Sequence, residues 1–155
     1  MTWTLRRATA DDVDAIMAIE IATFPDDAWS RATMHAEVAN RHGHYVVALA
    51  ADGGVDGYAG LLAPEGGEQA DIQTLAVVER ARRRGLGRSL LEELLAEARR
   101  RGASEVFLEV RADNPGASAL YEAHGFERIA VRPHYYQPAG VDAHIMRLEL
   151  ARSRA

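Results

Sequence analysis

Two short apolar runs, ADIQTLAVV at 70–78 and SEVFLEV at 104–110, bracket a stretch whose apolar residues recur at helical spacing. Leu86, Leu90, Leu91, Leu94, Leu95 and Ala98 share one face there while Arg88, Glu92, Glu93 and Glu97 share the other, so a helix should end near Gly102. A strand, a crossover helix and a second strand form a right-handed unit. The two runs are therefore expected side by side and parallel, with SEVFLEV as a buried strand. The rest of the chain has to be assembled around that pair.

Upstream, residues 3–7 read as a strand, and about 10–23 as a helix with Thr9 as its cap and Val13, Ile16 and Met17 on its apolar face. FPDDAWS at 24–30 breaks that helix, and Ser30 can cap another that runs to about Asn40. HYVVALAA at 44–51 and VDGYAGLLA at 55–63 flank the glycine turn ADGGVDG as antiparallel strands. A short helix at about 115–124 and two terminal strands, 126–132 and 143–150, finish the pattern. The expected class is α/β (α+β): a mixed, mostly antiparallel sheet flanked by helices, with the parallel pair at its centre. A chain of 155 residues, 48% of them hydrophobic, is the size of one domain spanning 1–155.

Between the first parallel strand and its crossover helix lies ERARRRGLGRS, where Arg80, Arg82, Arg83, Arg84 and Arg88 crowd around Gly85 and Gly87. Unpaired amides of a first helical turn and the helix dipole attract phosphate, and glycine lets the backbone approach it. The same pattern also fits a glycine turn with a solvated arginine face. Neither a Walker lysine nor a third dinucleotide-fingerprint glycine is present, since Leu90 stands at that position. All eighteen basic residues are arginine, so an arginine cluster says less here than elsewhere.

Net charge −5 argues against direct nucleic-acid binding and suits a cationic partner. No run of apolar residues is long enough for a membrane span and no leader is read at the N-terminus, so a cytoplasmic protein, expected as a monomer, is the reading. The absence of cysteine removes thiolate metal ligands and a cysteine nucleophile. The six histidines show no metal spacing, and no metal is expected.

Arg82-x-x-Gly85-x-Gly87, read together with EVRADNPGASALYEAHGF at 109–126, resembles the GCN5-related N-acetyltransferases, the GNAT family. The resemblance covers nearly the whole chain and implies that fold and acetyl-coenzyme A as acetyl donor. It implies that Arg82, Arg83, Arg84, Gly85, Leu86, Gly87, Arg88 and Ser89 cradle the pyrophosphate, the arginines facing a polyanionic ligand. It also implies that Leu75, Ala76 and Val77 hold the pantetheine arm and thioester, the amide near Val77 donating to the thioester carbonyl. Asn114 and Tyr121 close over that arm. Within the family the likeness is greatest to RimI-type members, which acetylate the N-terminal alanine of a small-subunit ribosomal protein. AWS at 28–30 is similar to their PWS with Ala28 for proline, and LEVRADN at 108–114 and RPHYYQPAGVDAHIMRL at 132–148 carry the rest.

Chemistry favours an α-amine as acceptor. With a pKa of about 7.7 to 8.0 it is roughly a tenth neutral at pH 7, whereas a lysine amine is handicapped by about 3.4 kcal/mol. Glu109 interrupts an apolar strand at its C-terminal end, where open sheets place their sites. It can act as general base, worth about a hundred- to ten-thousandfold, or it can be a carboxylate paired with Arg111 or Arg128. Asp71 on the neighbouring strand is the rival base. Tyr121 would return a proton to the departing thiolate, or simply pack on the sheet. Without a cysteine, direct transfer in a ternary complex is expected. Trp29, Tyr135 and Tyr136 line the acceptor groove or serve as packing. Glu20, Asp26, Asp27 and Glu37 read as a solvated acidic face that can also attract a basic peptide. Acetylation of a small amine, or silent acyl-coenzyme A binding, remain as alternatives.

Overall fold

A computed structural model describes residues 2–150. Its strands are β1 (Thr4–Arg7), β2 (Gly43–Leu49), β3 (Val55–Leu62), β4 (Gln69–Val77), β5 (Glu105–Arg111), β6 (Glu127–Tyr136) and β7 (Val141–Glu149). The helices are α1 (Val13–Thr23), α2 (Arg31–Ala39), α3 (Leu86–Arg100) and α4 (Pro115–Ala123). All seven strands form one sheet in the order β1-β2-β3-β4-β5-β7-β6, antiparallel everywhere except between β4 and β5.

Strand alternation divides the core in two. Val46 and Ala48 of β2 face the side covered by the leucines of α3 and by Tyr121 of α4. Tyr45 and Val47 face the opposite side, against Ile16 of α1 and Met34 of α2. The leucine stripe of α3 is wholly buried, as its period requires. Ser30 caps α2, its hydroxyl accepting from the Thr33 amide at 3.1 Å.

Three elements depart from the sequence pattern. The first helix is preceded by a short 3-10 turn, Ala10–Asp12, because Asp12 turns back to accept from the Thr9 amide at 2.8 Å and from Arg6. β6 continues to Tyr136 rather than ending at 132, and Pro133 is tolerated because β6 is an edge strand. SEVFLEV is buried on one face only. Val106, Leu108 and Val110 enter the core, while Glu109 is exposed and Phe107 half-buried on the face that borders the site.

The central pair is parallel as expected, but briefly. Cα partners run from Gln69 with Glu105 to Ile72 with Leu108 and stop there. Beyond that point β4 stays with β3 as far as Val77, and β5 stays with β7 as far as Arg111, so the sheet opens between them. The β3–β4 register shifts by one residue, Gly60 facing Thr74 and Leu61 facing Ile72, which makes Gln73 a bulge at the mouth of the opening.

Candidate active site

The parting strands form the base of an open groove of about 510 Å³. β4 contributes Asp71 and Gln73 to Leu75, β5 contributes Phe107 to Arg111, and Asn114 and Tyr121 border it from α4. Its outer rim comes from the α1–α2 segment, with Phe24 and Trp29, and from the β6–β7 hairpin, with Tyr135 and Tyr136.

On the β4 wall beyond Thr74 the useful groups are in the backbone. The Val78 amide donates to the Asp56 carbonyl at 2.9 Å across the β3 edge. Alternation then commits the Ala76 amide to β3 as well and turns those of Leu75 and Val77 toward the edge that β5 has left. The Val77 carbonyl on that edge accepts from Arg82 Nε at 3.0 Å. The side chains of Ala76 and Val77 are buried, so these residues can offer a ligand only main chain.

The turn after β4 continues that backbone surface. Arg83 and Gly85 both have positive φ, 62° and 85°, and Gly85 caps α3. Ser89 donates from its amide and hydroxyl to the Gly85 carbonyl, which leaves the amides of Leu86, Gly87 and Arg88 as the unpaired first turn of the helix. Only glycine holds the left-handed conformation at 85 without strain. The arginines separate into distinct tasks. Arg80 reaches the fully buried Asp56 at 2.5 Å, beside Trp3 Nε1 at 2.9 Å, and so braces β3 rather than the turn. Arg88 pairs with Glu92 at 3.1 Å. Arg83 and Arg84 extend into solvent.

On the β5 wall the groups are side chains. Asp71 lies beside Phe107 in register, so Asp71, Phe107 and Glu109 project from one face. Burial, and then the Glu109 carboxylate, push the Asp71 carboxyl above its ordinary value. Glu109 meets Arg132 Nη1 at 3.5 Å, not Arg111 or Arg128. A bulge between Arg128 and Ala130 explains the choice: it puts Arg128 opposite the buried Met146, on the far face, and returns Ala130 and Arg132 to the face of Ile145 and Glu109. The Glu109 carboxylate in turn raises the phenol of Tyr135, whose ring lies under the Arg132 guanidinium at 5.4 Å.

Arg111 has a different role from the pairing considered for it. It grips Asp113 through two nitrogens, at 2.9 and 3.0 Å, reaches Asp27 at 3.1 Å, and lies over the Tyr136 ring at 5.2 Å. One guanidinium thus joins the α1–α2 segment, the β5–α4 turn and the β6–β7 hairpin around the groove. Tyr135 and Tyr136 pack edge to face at 5.1 Å. The acidic residues of the first two helices are only partly a solvated face. Glu20 is 2% exposed and accepts from the Trp29 amide at 3.0 Å, Asp27 is held by Arg111, and Glu37 accepts from Gln73 at 3.2 Å.

Tyr121 packs edge to face on Phe126 at 5.7 Å. It lines the groove, and among the described residues its hydroxyl has no hydrogen-bond partner. Burial, with a smaller contribution from Tyr136, raises its phenol well above the ordinary value and keeps it protonated. Asn114 caps α4, its side-chain oxygen accepting from the Ala117 amide at 3.2 Å. The groove therefore brings together Glu109, Asp71, Tyr121, Asn114, Leu75, Trp29, Tyr135 and Tyr136, with the glycine turn continuing the β4 wall. Arg111 and Arg132 escaped the sequence pattern as organising residues, because their partners lie on segments far apart in the chain.

Comparison with known proteins bears on this site. Residues 13–126 match the acetyltransferase (GNAT) family. The chain is 39% identical over 147 residues to the N-alpha-acetyltransferase RimI of Mycobacterium tuberculosis, spanning 93% of this chain and 90% of that protein. It is 44% identical over 144 residues to an uncharacterized Mycobacterium leprae protein, covering 91% of this chain but only 39% of that longer one. In three dimensions it matches the ribosomal-protein-S18-alanine N-acetyltransferase of Escherichia coli with a TM-score of 0.85 at 28% identity, over 99% of this chain and 97% of the other.

Proposed function

Because the chain belongs to the acetyltransferase (GNAT) family, we propose that it transfers the acetyl group of acetyl-coenzyme A directly to the α-amine of a protein N-terminus, with the N-terminal alanine of a ribosomal protein as acceptor. The observation that carries this reading is the divergence of β4 from β5 after Ile72 and Leu108, which leaves main-chain donors on one wall and Glu109 on the other. The relatives named for N-terminal acetylation support the choice of acceptor. Such a substrate puts the reaction in the cytoplasm.

The donor lies along the β4 wall. Its pyrophosphate meets the free amides of Leu86, Gly87 and Arg88 at the positive end of α3, with Arg82, Arg83 and Arg84 adding charge from the turn. The Leu75 and Val77 amides hold the arm, and the Val77 amide stabilises the oxygen of the thioester as it becomes an oxyanion. Glu109 takes the proton of the attacking amine, directly or through one water, as the new carbon–nitrogen bond forms. The carbon–sulfur bond breaks, and Tyr121, kept protonated by its burial, gives its proton to the departing thiolate. Asp71 is the rival base on the neighbouring strand. Trp29, Tyr135 and Tyr136 flank the incoming chain.

The acceptor is tested by offering acetyl-coenzyme A with a peptide beginning Ala-Arg and containing internal lysines, and locating the acetyl group by mass spectrometry. Modification of the α-amine, abolished when that amine is blocked, is the expected result. Equal turnover of the blocked peptide, or faster turnover of a polyamine, contradicts it.

A further inference from the structure

A carboxylate buried without a cationic partner is costly unless hydrogen-bond donors surround it. Glu20, near the end of α1, is 2% exposed and borders the groove. Its partners are uncharged: the Trp29 amide at 3.0 Å, the Tyr58 hydroxyl through a short contact, and the Thr74 hydroxyl at 3.3 Å. These three donors come from the α1–α2 segment, from β3 and from β4. Thr74 directly follows the bulge residue Gln73, which is itself held by Tyr45 at 2.8 Å and by Glu37 of α2. One carboxylate therefore joins the rim segment that carries Trp29 to the strand whose opening makes the groove.

We propose that Glu20 is a positioning residue for the acceptor: by accepting from Trp29, Tyr58 and Thr74, it fixes the α1–α2 segment against the bulge of β4 and so sets how tightly the acceptor chain is held. The inference builds on the reading of this groove as an N-terminal acetylation site. Glu20 touches neither the glycine turn nor the Leu75 and Val77 amides, so the affinity for the acetyl donor should change little.

The chemistry of the three donors separates shape from charge. An amide N–H can only donate, so Trp29 requires an acceptor. Hydroxyl groups can turn round and accept. Glu20→Gln can thus present its oxygen to Trp29 and its nitrogen to Tyr58 and Thr74, retaining the tie without the charge. Glu20→Ala cannot.

The test combines steady-state kinetics with amide exchange. Glu20→Ala should raise the KM for the Ala-Arg peptide about tenfold or more, with acetyl-coenzyme A affinity within about twofold of the wild type, and Glu20→Gln should restore most of the loss. The Trp29 amide, followed by hydrogen exchange, should be protected in the wild type and in Glu20→Gln and should exchange faster in Glu20→Ala. If Glu20→Ala does not fold, Tyr58→Phe and Thr74→Val each remove one donor and should give smaller rises in acceptor KM. A Glu20→Gln variant as impaired as Glu20→Ala, a parallel loss of acetyl-coenzyme A affinity, or unchanged Trp29 exchange overturns the proposal. Should the wild type acetylate no peptide, N-terminal acetylation itself fails, and Trp29 exchange still decides whether Glu20 fixes the rim.

Discussion

Along β4 from Leu75 onward and along the turn after it, the groups offered to a ligand are main-chain amides, at Leu75, Val77 and the first turn of α3; the one β4 carboxylate of the groove, Asp71, lies before the strands part. Along the β5 wall and the outer rim they are side chains: Glu109 with Arg132, Arg111 with Asp27 and Asp113, and Glu20 beneath Trp29. On the proposed reading, one scaffold thus serves a donor and an acceptor in two different ways. A donor of fixed chemistry can be held by backbone that any sequence folding this way presents, with glycine where that backbone turns left-handed. An acceptor has to be read by side chains, and these are brought together only by the finished tertiary structure.

That contrast can be broken by substitution. The largest effect is expected from Tyr121→Phe, which removes a proton donor but keeps the ring that packs on Phe126: kcat should fall about ten- to a hundredfold with little change in stability. A change within about twofold would reduce Tyr121 to packing. Next is Arg111→Ala, which cuts the link among three rim segments. Acceptor KM should rise about tenfold while acetyl-coenzyme A binding persists, since the β4 wall is untouched. A loss shared equally by both substrates would erase the distinction between the walls.

The smallest effect concerns the exposed arginines. Acetyl-coenzyme A at about a hundred times its Kd should stabilise the fold by about 2.7 kcal/mol, read as a rise in Tm. Arg84→Gln should weaken the donor by no more than about threefold, and raised salt should shrink even that difference, because a solvent-exposed charge is screened while amides are not. Abolition of donor binding by Arg84→Gln would mean that side chains, not backbone, grip the donor.

The sequence made the backbone wall legible and the side-chain wall only partly so. Strand, glycine turn and helix follow one another within a single stretch of chain, so local periodicity and Gly85 are enough to locate them. Glu109 was visible as a charge interrupting an apolar run. Its partner was not, because a one-residue bulge at Ile129 decides which arginine of β6 shares its face. Glu20 was equally hidden: in α1 it reads as one more acidic helix residue, and only Tyr58 and Thr74, on two other strands, make it a buried acceptor. The extension of β6 through Pro133 depended on its place at the sheet edge, which is a property of the whole topology.

In the reaction proposed for this groove, the proton of the attacking amine leaves to the β5 wall. Asp71, raised by burial and by its neighbour, is a credible competitor on the other strand, so the two carboxylates must be compared directly. The measurement is kcat/KM at neutral pH for an Ala-Arg peptide with the wild type, Glu109→Gln and Asp71→Asn. Glu109→Gln should lower it by about tenfold or more while Asp71→Asn stays within about threefold of the wild type. A severe loss in Asp71→Asn, with Glu109→Gln near the wild type, would place the base on β4 and contradict the account.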